Sequence, residues 1–150
     1  MTPRVDITTA APKLMTEWLK LSNTVEAAGL DPALCELVKL RASQINGCAN
    51  CLNMHSFAAS GQGETPQRLH LLPAWEDAPC YTPRERAALA WTDHLTQVST
   101  RRAPKAVYAA LAAEFDPAEQ VTLTMLINVI NGWNRLAIGF DQFVPEYGWT

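Results

Sequence analysis

Long apolar runs are absent from this sequence. The longest candidate, residues 121–130, is interrupted by threonines and by Asn128, and it is well short of the ~20 apolar residues that a membrane-spanning helix needs. The first eleven residues also contain no apolar segment of the type that directs secretion. We therefore expect a cytoplasmic protein that has no membrane partner.

Positive charge is scarce as well. Twelve Lys and Arg residues are outnumbered by 15 Asp and Glu residues, which gives a net charge of -3 and a pI near 5.6. The basic residues cluster only at Arg101-Arg102, so we expect no nucleic-acid partner. Internal repeats, low-complexity segments and Gly/Ser linkers are also missing, which predicts a single domain over residues 1–150.

The alternation of apolar and polar residues that marks a half-buried strand is not found either, and helix signals are present in its place. In four segments a capping residue is followed by proline, which suits the first turn of a helix because its missing N–H would be unpaired there anyway. These starts are Asp31-Pro32, Thr65-Pro66, Thr82-Pro83 and Asp116-Pro117. The last two continue as capping boxes with Glu85 and Glu119. The sequence predicts an all-α, compact helical bundle.

Apolar spacing defines the first predicted helix, which stops at Gly29. Its apolar positions recur at helical intervals, at Leu14, Trp18, Leu21 and Val25. The tryptophans of the chain are predicted to anchor the core or an interface between subunits. They are Trp18, Trp75, Trp91, Trp133 and Trp149.

A helical hairpin is predicted next. Its first arm runs from Pro32 to about residue 45, Asn46-Gly47 makes the turn, and its second arm runs from about Cys48 to residue 60. A CxxC motif therefore lies at a helix N-terminus. A short helix and a loop follow over residues 62–81.

Three longer helices are predicted in the second half, over roughly 83–98, 103–114 and 117–138, and an irregular tail from Gly139. The last of these helices is apolar almost all round. Because a helix without a polar face must be covered, we expect it at the centre of the bundle or in a subunit interface.

The cysteine pattern indicates redox chemistry, because structural disulfides are rare in the cytoplasm. Cys48, Cys51 and His55 are spaced i, i+3 and i+7 and share one face of a helix. The N–H groups at a helix N-terminus favour a thiolate, and His55 can accept the proton of Cys51. The second thiol can trap a sulfenic acid or a mixed disulfide intramolecularly. Cys35 is predicted to be a core residue and Cys80 a loop thiol.

Glu36 lies in an apolar stretch, residues 33–38, where a carboxylate needs a partner. If the hairpin folds back on itself, His55 is within reach and the two residues form a relay with Cys51. His70 and His94 have no clustered partners and are predicted to be surface or structural residues.

Other interpretations of the CxxC remain open. Cys48, Cys51 and His55 could supply three zinc ligands, although a second CxxC or a paired histidine is missing. A purely structural disulfide would close too small a loop to stabilise the fold much. A thioredoxin is disfavoured because no βαβ pattern surrounds the motif. A redox-sensing or metal-binding helical oligomer without turnover is the non-enzymatic alternative.

The segment from Glu36 to His55, ELVKLRASQINGCANCLNMH, closely resembles the signature of the AhpD-like alkylhydroperoxidases in the carboxymuconolactone decarboxylase superfamily. The resemblance extends over residues 31–60, and the run Ile-Asn-Gly-Trp-Asn-Arg-Leu that ends at Leu136 resembles a weaker helix motif of single-domain members. It implies an all-α fold that assembles as a homo-oligomer, such as a trimer or a hexamer. Because the lactone decarboxylases of the superfamily lack the CxxC, it also implies peroxide reduction.

By this resemblance Cys51 attacks the hydroperoxide substrate, Cys48 resolves the product, and Glu36 with His55 forms the proton relay. Helix-dipole reasoning alone favours Cys48 as the attacking residue, because it lies nearer the helix N-terminus. The resemblance implies no metal and no bound cofactor, and the reductant that it implies is an external dithiol such as the lipoyl group of a partner protein. The best-known member has a histidine where this chain has Asn50.

Overall fold

The structure, a computed structural model, describes residues 2–144, and this part of the chain folds into helices without strands. The described elements are α1 (Ile7–Ala10), α2 (Pro12–Glu26), α3 (Pro32–Asn46), α4 (Ala49–Gly61), α5 (Pro66–Leu71), a 3-10 turn (Leu72–Ala74), α6 (Pro83–Thr96), α7 (Lys105–Glu114) and α8 (Pro117–Phe140). The prediction of an all-α fold is confirmed. Trp149, which was predicted to be an anchor, lies outside the described residues.

The four predicted helix starts are confirmed. The side chains of Asp31, Thr65, Thr82 and Asp116 each accept a hydrogen bond from the first turn of the helix that follows. Both capping boxes are complete, since the carboxylates of Glu85 and Glu119 accept from the N–H of their caps at 2.7 and 3.0 Å. The end of α8 differs from the prediction of a tail from Gly139, because the helix continues to Phe140.

The N-terminal segment differs more from the prediction. Asp6 accepts hydrogen bonds from the N–H groups of Thr8 and Thr9 and caps α1, a helix too short to show apolar periodicity. In α2, Val25 is buried, but Leu14 and Leu21 are 74% and 36% exposed, so the predicted apolar stripe is wrong at these two positions. The reason is that α2 meets α8 through the face that carries Trp18, Ser22 and Val25, which begins one turn beyond Leu14 and leaves Leu21 beside it.

Helices α3 and α8 form the centre of the bundle. Helix α3 packs against α4, α6 and α8, and α8 also contacts α2, α4, α6 and α7. The central position predicted for the last helix is therefore confirmed. Val121 and Ile138 on α8 are 64% and 47% exposed, so this chain leaves part of the helix uncovered, and its role in a subunit interface stays a prediction. None of the helices described in residues 2–144 is long and apolar enough to cross a membrane.

A buried ion pair links the predicted hairpin to α6. Arg41 donates from Nε and Nη2 to the two carboxylate oxygens of Asp93, at 2.6 and 2.8 Å. Trp75 Nε1 donates to the same carboxylate at 3.3 Å, and Asp93 is only 2% exposed. These bonds fix α3 against α6 and against the segment that carries Trp75.

Close packing of α2 on α8 depends on a glycine. A Cβ at Gly132 would lie 2.7 Å from Cη2 of Trp18 and closer still to Cζ2. Alanine gains roughly 0.5–1 kcal/mol over glycine within a helix, whereas overpacking a core costs about 1–3 kcal/mol. We therefore expect Gly132→Ala to lower the free energy of unfolding, as measured by denaturant titration.

The matched control for this substitution is Gly139→Ala on the same helix. A Cβ at Gly139 meets nothing within 4 Å, and its φ is not in the left-handed region. We expect this variant to be at least as stable as the parent protein. Equal stability of the two variants would contradict the inference that the missing side chain at Gly132 makes room for Trp18.

Candidate active site

The predicted hairpin is present and is built from α3 and α4. Gly47 adopts a left-handed conformation, φ 69°, which ends α3 and favours glycine at this position. The side chain of Asn46 donates to Asn131 and Asn134 of α8, at 3.0 and 2.8 Å. Because these polar groups lie largely inside the bundle, their hydrogen bonds hold the turn in one position relative to α8.

The two cysteines of the motif lie at the start of α4. Cys48 is the N-cap, and its Sγ accepts a hydrogen bond from the N–H of Cys51 at 3.3 Å. The two residues form a disulfide, with their Cα atoms 5.4 Å apart. Cys48 is 1% and Cys51 4% exposed, so the oxidised pair is shielded from bulk water.

Glu36 connects the hairpin arms through its carboxylate. Its Oε2 lies 2.9 Å from Nδ1 of His55, which confirms the contact predicted from the sequence. Its Oε1 lies 2.5 Å from Nζ of Lys39. Because an ionised carboxylate only accepts hydrogen bonds, the Nδ1 of His55 carries the proton and Nε2 is left as the basic nitrogen.

The charged state of this cluster follows from its partners. Burial alone would raise the pKa of the Glu36 carboxyl, but hydrogen bonds and charges from His55 and Lys39 outweigh burial and hold it below its usual value. Burial would lower the pKa of the Lys39 ammonium, yet Glu36 and Glu26 raise it above its usual value. Glu36 is thus an anion and Lys39 a cation at neutral pH.

A cavity of about 410 Å³ reaches Cys51 and His55 from between α2, α4 and α8. Its walls are largely apolar, and they include Leu19, Val129, Ile130, Trp133 and Leu136. Lys39 also lines it, whereas Cys48 lines a separate depression of about 180 Å³. A molecule in the larger cavity would therefore meet Cys51 before Cys48.

The other cysteines and histidines lie away from this cavity. Cys35 is buried as predicted, and burial raises the pKa of its thiol to about 11, so it is not a nucleophile at neutral pH. Cys80 lies half-buried in the loop before α6, as predicted. His70 is exposed, and His94 Nδ1 donates to the carbonyl of Arg102 at 2.7 Å.

The geometry gives no support to the zinc alternative. Across the part of the chain that the structure describes, no group of three or more His, Cys, Asp or Glu side chains could hold a metal ion. The proposed ligands Cys48 and Cys51 are bonded to each other instead.

Two parts of the site were not found by sequence reasoning. Lys39 had a usable signal, because it lies three residues after Glu36 on a helix, a spacing at which opposite charges meet. The apolar cavity had none, since its walls come from helices that are distant in sequence.

The fold and the site together define an all-α protein with a buried CxxC disulfide where the second arm of a helical hairpin begins. Comparison with known families gives a match to the model described as the carboxymuconolactone decarboxylase family, over residues 12–94. The match covers more than half of the chain. The chain belongs to this family.

Two similar proteins extend over almost its whole length. It is 36% identical over 142 residues to the uncharacterized protein YdfG of Bacillus subtilis, covering 95% of this chain and 97% of YdfG. A crystal structure from Agrobacterium tumefaciens, of a protein of unknown function provisionally assigned to antioxidant defence as AhpD, has a TM-score of 0.91 and 38% identity and covers 95% of this chain and 99% of that one. The likeness confirms the AhpD-like fold.

A more distant structure shows the same fold. The debrominase Bmp8 has a TM-score of 0.82 with 19% identity, covering 93% of this chain and 76% of Bmp8. At this level of identity the likeness shows only a common fold, so the reaction of the present chain must be argued from its own residues.

Proposed function

We propose that this protein is a thiol-dependent peroxidase that reduces hydroperoxides with the Cys48/Cys51 dithiol. The observation that carries the proposal is a cavity that reaches Cys51 and His55 together, while the second cysteine lies outside it. The provisional assignment of the Agrobacterium protein to antioxidant defence agrees with this reaction.

The first step uses the reduced protein. Nε2 of His55 accepts the proton of the Cys51 thiol, and Glu36 stabilises the imidazolium through Nδ1. The Cys51 thiolate attacks the terminal hydroxyl oxygen of the hydroperoxide, and the O–O bond breaks. The sulfur is oxidised to a sulfenic acid, and the leaving alkoxide takes the proton from His55 and departs as an alcohol.

The second step forms the disulfide seen in the structure. The sulfur of Cys48 attacks the sulfur of the Cys51 sulfenic acid, the S–O bond breaks, and hydroxide leaves with the Cys48 proton as water. The Cα separation of 5.4 Å is within the range of ordinary disulfides.

The third step resets the site with an external dithiol, for which we propose a lipoyl-type group of a partner protein. A thiolate of the reductant attacks Cys51 Sγ from the cavity and Cys48 departs as a thiolate. The N–H of Cys51 donates to Cys48 Sγ, which stabilises that leaving group. The second thiol of the reductant then releases Cys51 and forms the reductant's own disulfide.

We also propose that the protein acts in the cytoplasm, where dithiol reductants are available. Its proposed assembly is a homo-oligomer, a trimer or a hexamer. Exposed apolar residues on α8 support an interface between subunits. They include Val121 and Ile138.

The test is peptide mapping by mass after the fully reduced protein receives one equivalent of hydrogen peroxide or of tert-butyl hydroperoxide. We expect a Cys48 to Cys51 disulfide while Cys35 and Cys80 stay reduced. With excess peroxide and dihydrolipoamide, we expect many turnovers per subunit. A disulfide that forms once and is never turned over would favour the redox-sensing alternative, and the absence of selective oxidation would reject both.

A further inference from the structure

Three charged side chains of alternating sign, Glu26, Lys39 and Glu36, link α2 to His55. Glu26 Oε1 on α2 lies 2.9 Å from Nζ of Lys39, which lies 2.5 Å from Glu36 Oε1. The other oxygen of Glu36 holds His55 at 2.9 Å. Lys39 is therefore the only member that contacts two carboxylates from different helices.

These three side chains differ in how far they are exposed to solvent. The side chains of Lys39 and Glu36 are 9% and 12% exposed, whereas that of Glu26 is 51% exposed. A buried carboxylate without its cation tends to become neutral, because the charged form loses its hydration. A neutral carboxyl can donate its own proton to His55 Nδ1. The imidazole proton would then lie on Nε2, and this nitrogen could not accept the proton of Cys51.

We propose that Lys39 is a positioning residue of this site: its ammonium group keeps Glu36 ionised and so fixes His55 with Nδ1 toward Glu36 and Nε2 free for the Cys51 thiol. The inference rests on the proposed function. A second effect acts in the same direction, because Lys39 and Cys51 line the same cavity and a cation favours a thiolate nearby.

The other elements around Lys39 bring few competing charges. Helix α8 contributes only uncharged residues to the cavity, and so do α1 and residues 142–144. Helix α6 brings Asp93 to α3, but this carboxylate is paired with Arg41. Cys35 on α3 stays a neutral thiol at working pH. Lys39 and Glu26 are thus the groups whose charges can be changed to test the inference.

The experiment measures the rate at which iodoacetamide alkylates Cys51 in the fully reduced protein, from pH 5 to 10, with each cysteine assigned by fragment mass. In Lys39→Met, which keeps an apolar chain of similar length, we expect the midpoint of the Cys51 profile to rise by about one pH unit. Lys39→Arg retains the positive charge, and we expect it to restore most of the shift.

Glu26→Gln is expected to shift the midpoint of the Cys51 profile in the opposite direction. Removing the outer carboxylate leaves the charge of Lys39 less compensated, so the midpoint should fall, and by less than one unit because Glu26 is half exposed. The matched control is Lys20→Met, whose side chain is 74% exposed and 4.0 Å from Glu17. We expect no shift there.

These outcomes separate a positioning role from a structural one. Loss of packing alone would not move the midpoint in opposite directions in Lys39→Met and Glu26→Gln. The inference is overturned if Lys39→Met, still folded by circular dichroism, shifts no more than Lys20→Met, or if Glu26→Gln shifts upward. Should Lys39→Met fail to fold, Lys39→Gln is measured in its place with the same expected rise. Because alkylation needs no peroxide, this result is independent of whether the parent protein turns over peroxide.

Discussion

Replacement of Cys51 by serine is expected to reduce peroxide turnover by at least about two orders of magnitude, because a hydroxyl is not ionised at neutral pH and is a far weaker nucleophile than a thiolate. The measurement is peroxide consumption in the presence of dihydrolipoamide. Thermal unfolding should change little, since the substitution exchanges one small buried atom and leaves the α3–α4 hairpin intact.

The matched variant is Cys48→Ser, which keeps the attacking thiol and removes the resolving one. We expect it to consume about one equivalent of peroxide and then to stall, with a sulfenic acid at Cys51 that dimedone traps. If Cys51→Ser stalls in this way and Cys48→Ser is inert, the roles are reversed, as the helix dipole alone would suggest. Continued turnover in both variants would remove the dithiol from the mechanism.

The largest effect on stability is expected at Asp93. Asp93→Ala leaves the guanidinium of Arg41 without its carboxylate, in a side chain that is only 15% exposed, and also leaves Trp75 Nε1 without an acceptor. Removing one partner of a buried pair costs about 3–5 kcal/mol, because the remaining charge is uncompensated. The free energy of unfolding, measured by urea titration, should fall by that amount.

A surface pair serves as the control for Asp93→Ala. Glu17 and Lys20 are 73% and 74% exposed and lie 4.0 Å apart, so solvent screens their attraction. Glu17→Ala should change stability by less than about 1 kcal/mol. Similar losses in the two variants would mean that Arg41 finds another partner, and that the pair does not fix α3 against α6.

The helix starts and the hairpin could be predicted because each depends on neighbouring residues. Thr82 and Asp116 meet their capping partners three residues along, and Gly47 ends α3 through its own backbone conformation. The helical spacing of Cys51 and His55 is equally local. Helix α1 was missed because four residues are too few to show a period.

The contact of Glu36 with His55 could be predicted only in part, because it depends on the packing of two helices as well as on the local sequence. Its existence was a hypothesis from the need of a buried carboxylate for a partner, and the packing of α3 against α4 confirmed it. The same argument applied to Lys39 would have found Glu36, three residues away, but not Glu26, which is on another helix.

The sequence by itself determined the all-α fold class, the helical hairpin and the shared helix face of Cys48, Cys51 and His55, because spacing along a helix and capping act over a few residues. Glu36 became a candidate through its apolar surroundings and the resemblance to a known family. Only the tertiary structure decided which cysteine lines the cavity. That choice depends on α8, which packs against both α2 and α4, so that residues of α2 and α8 form apolar walls beside Cys51. The contact of Lys39 with Glu26 likewise arises from the packing of α2 near α3, which no local pattern encodes.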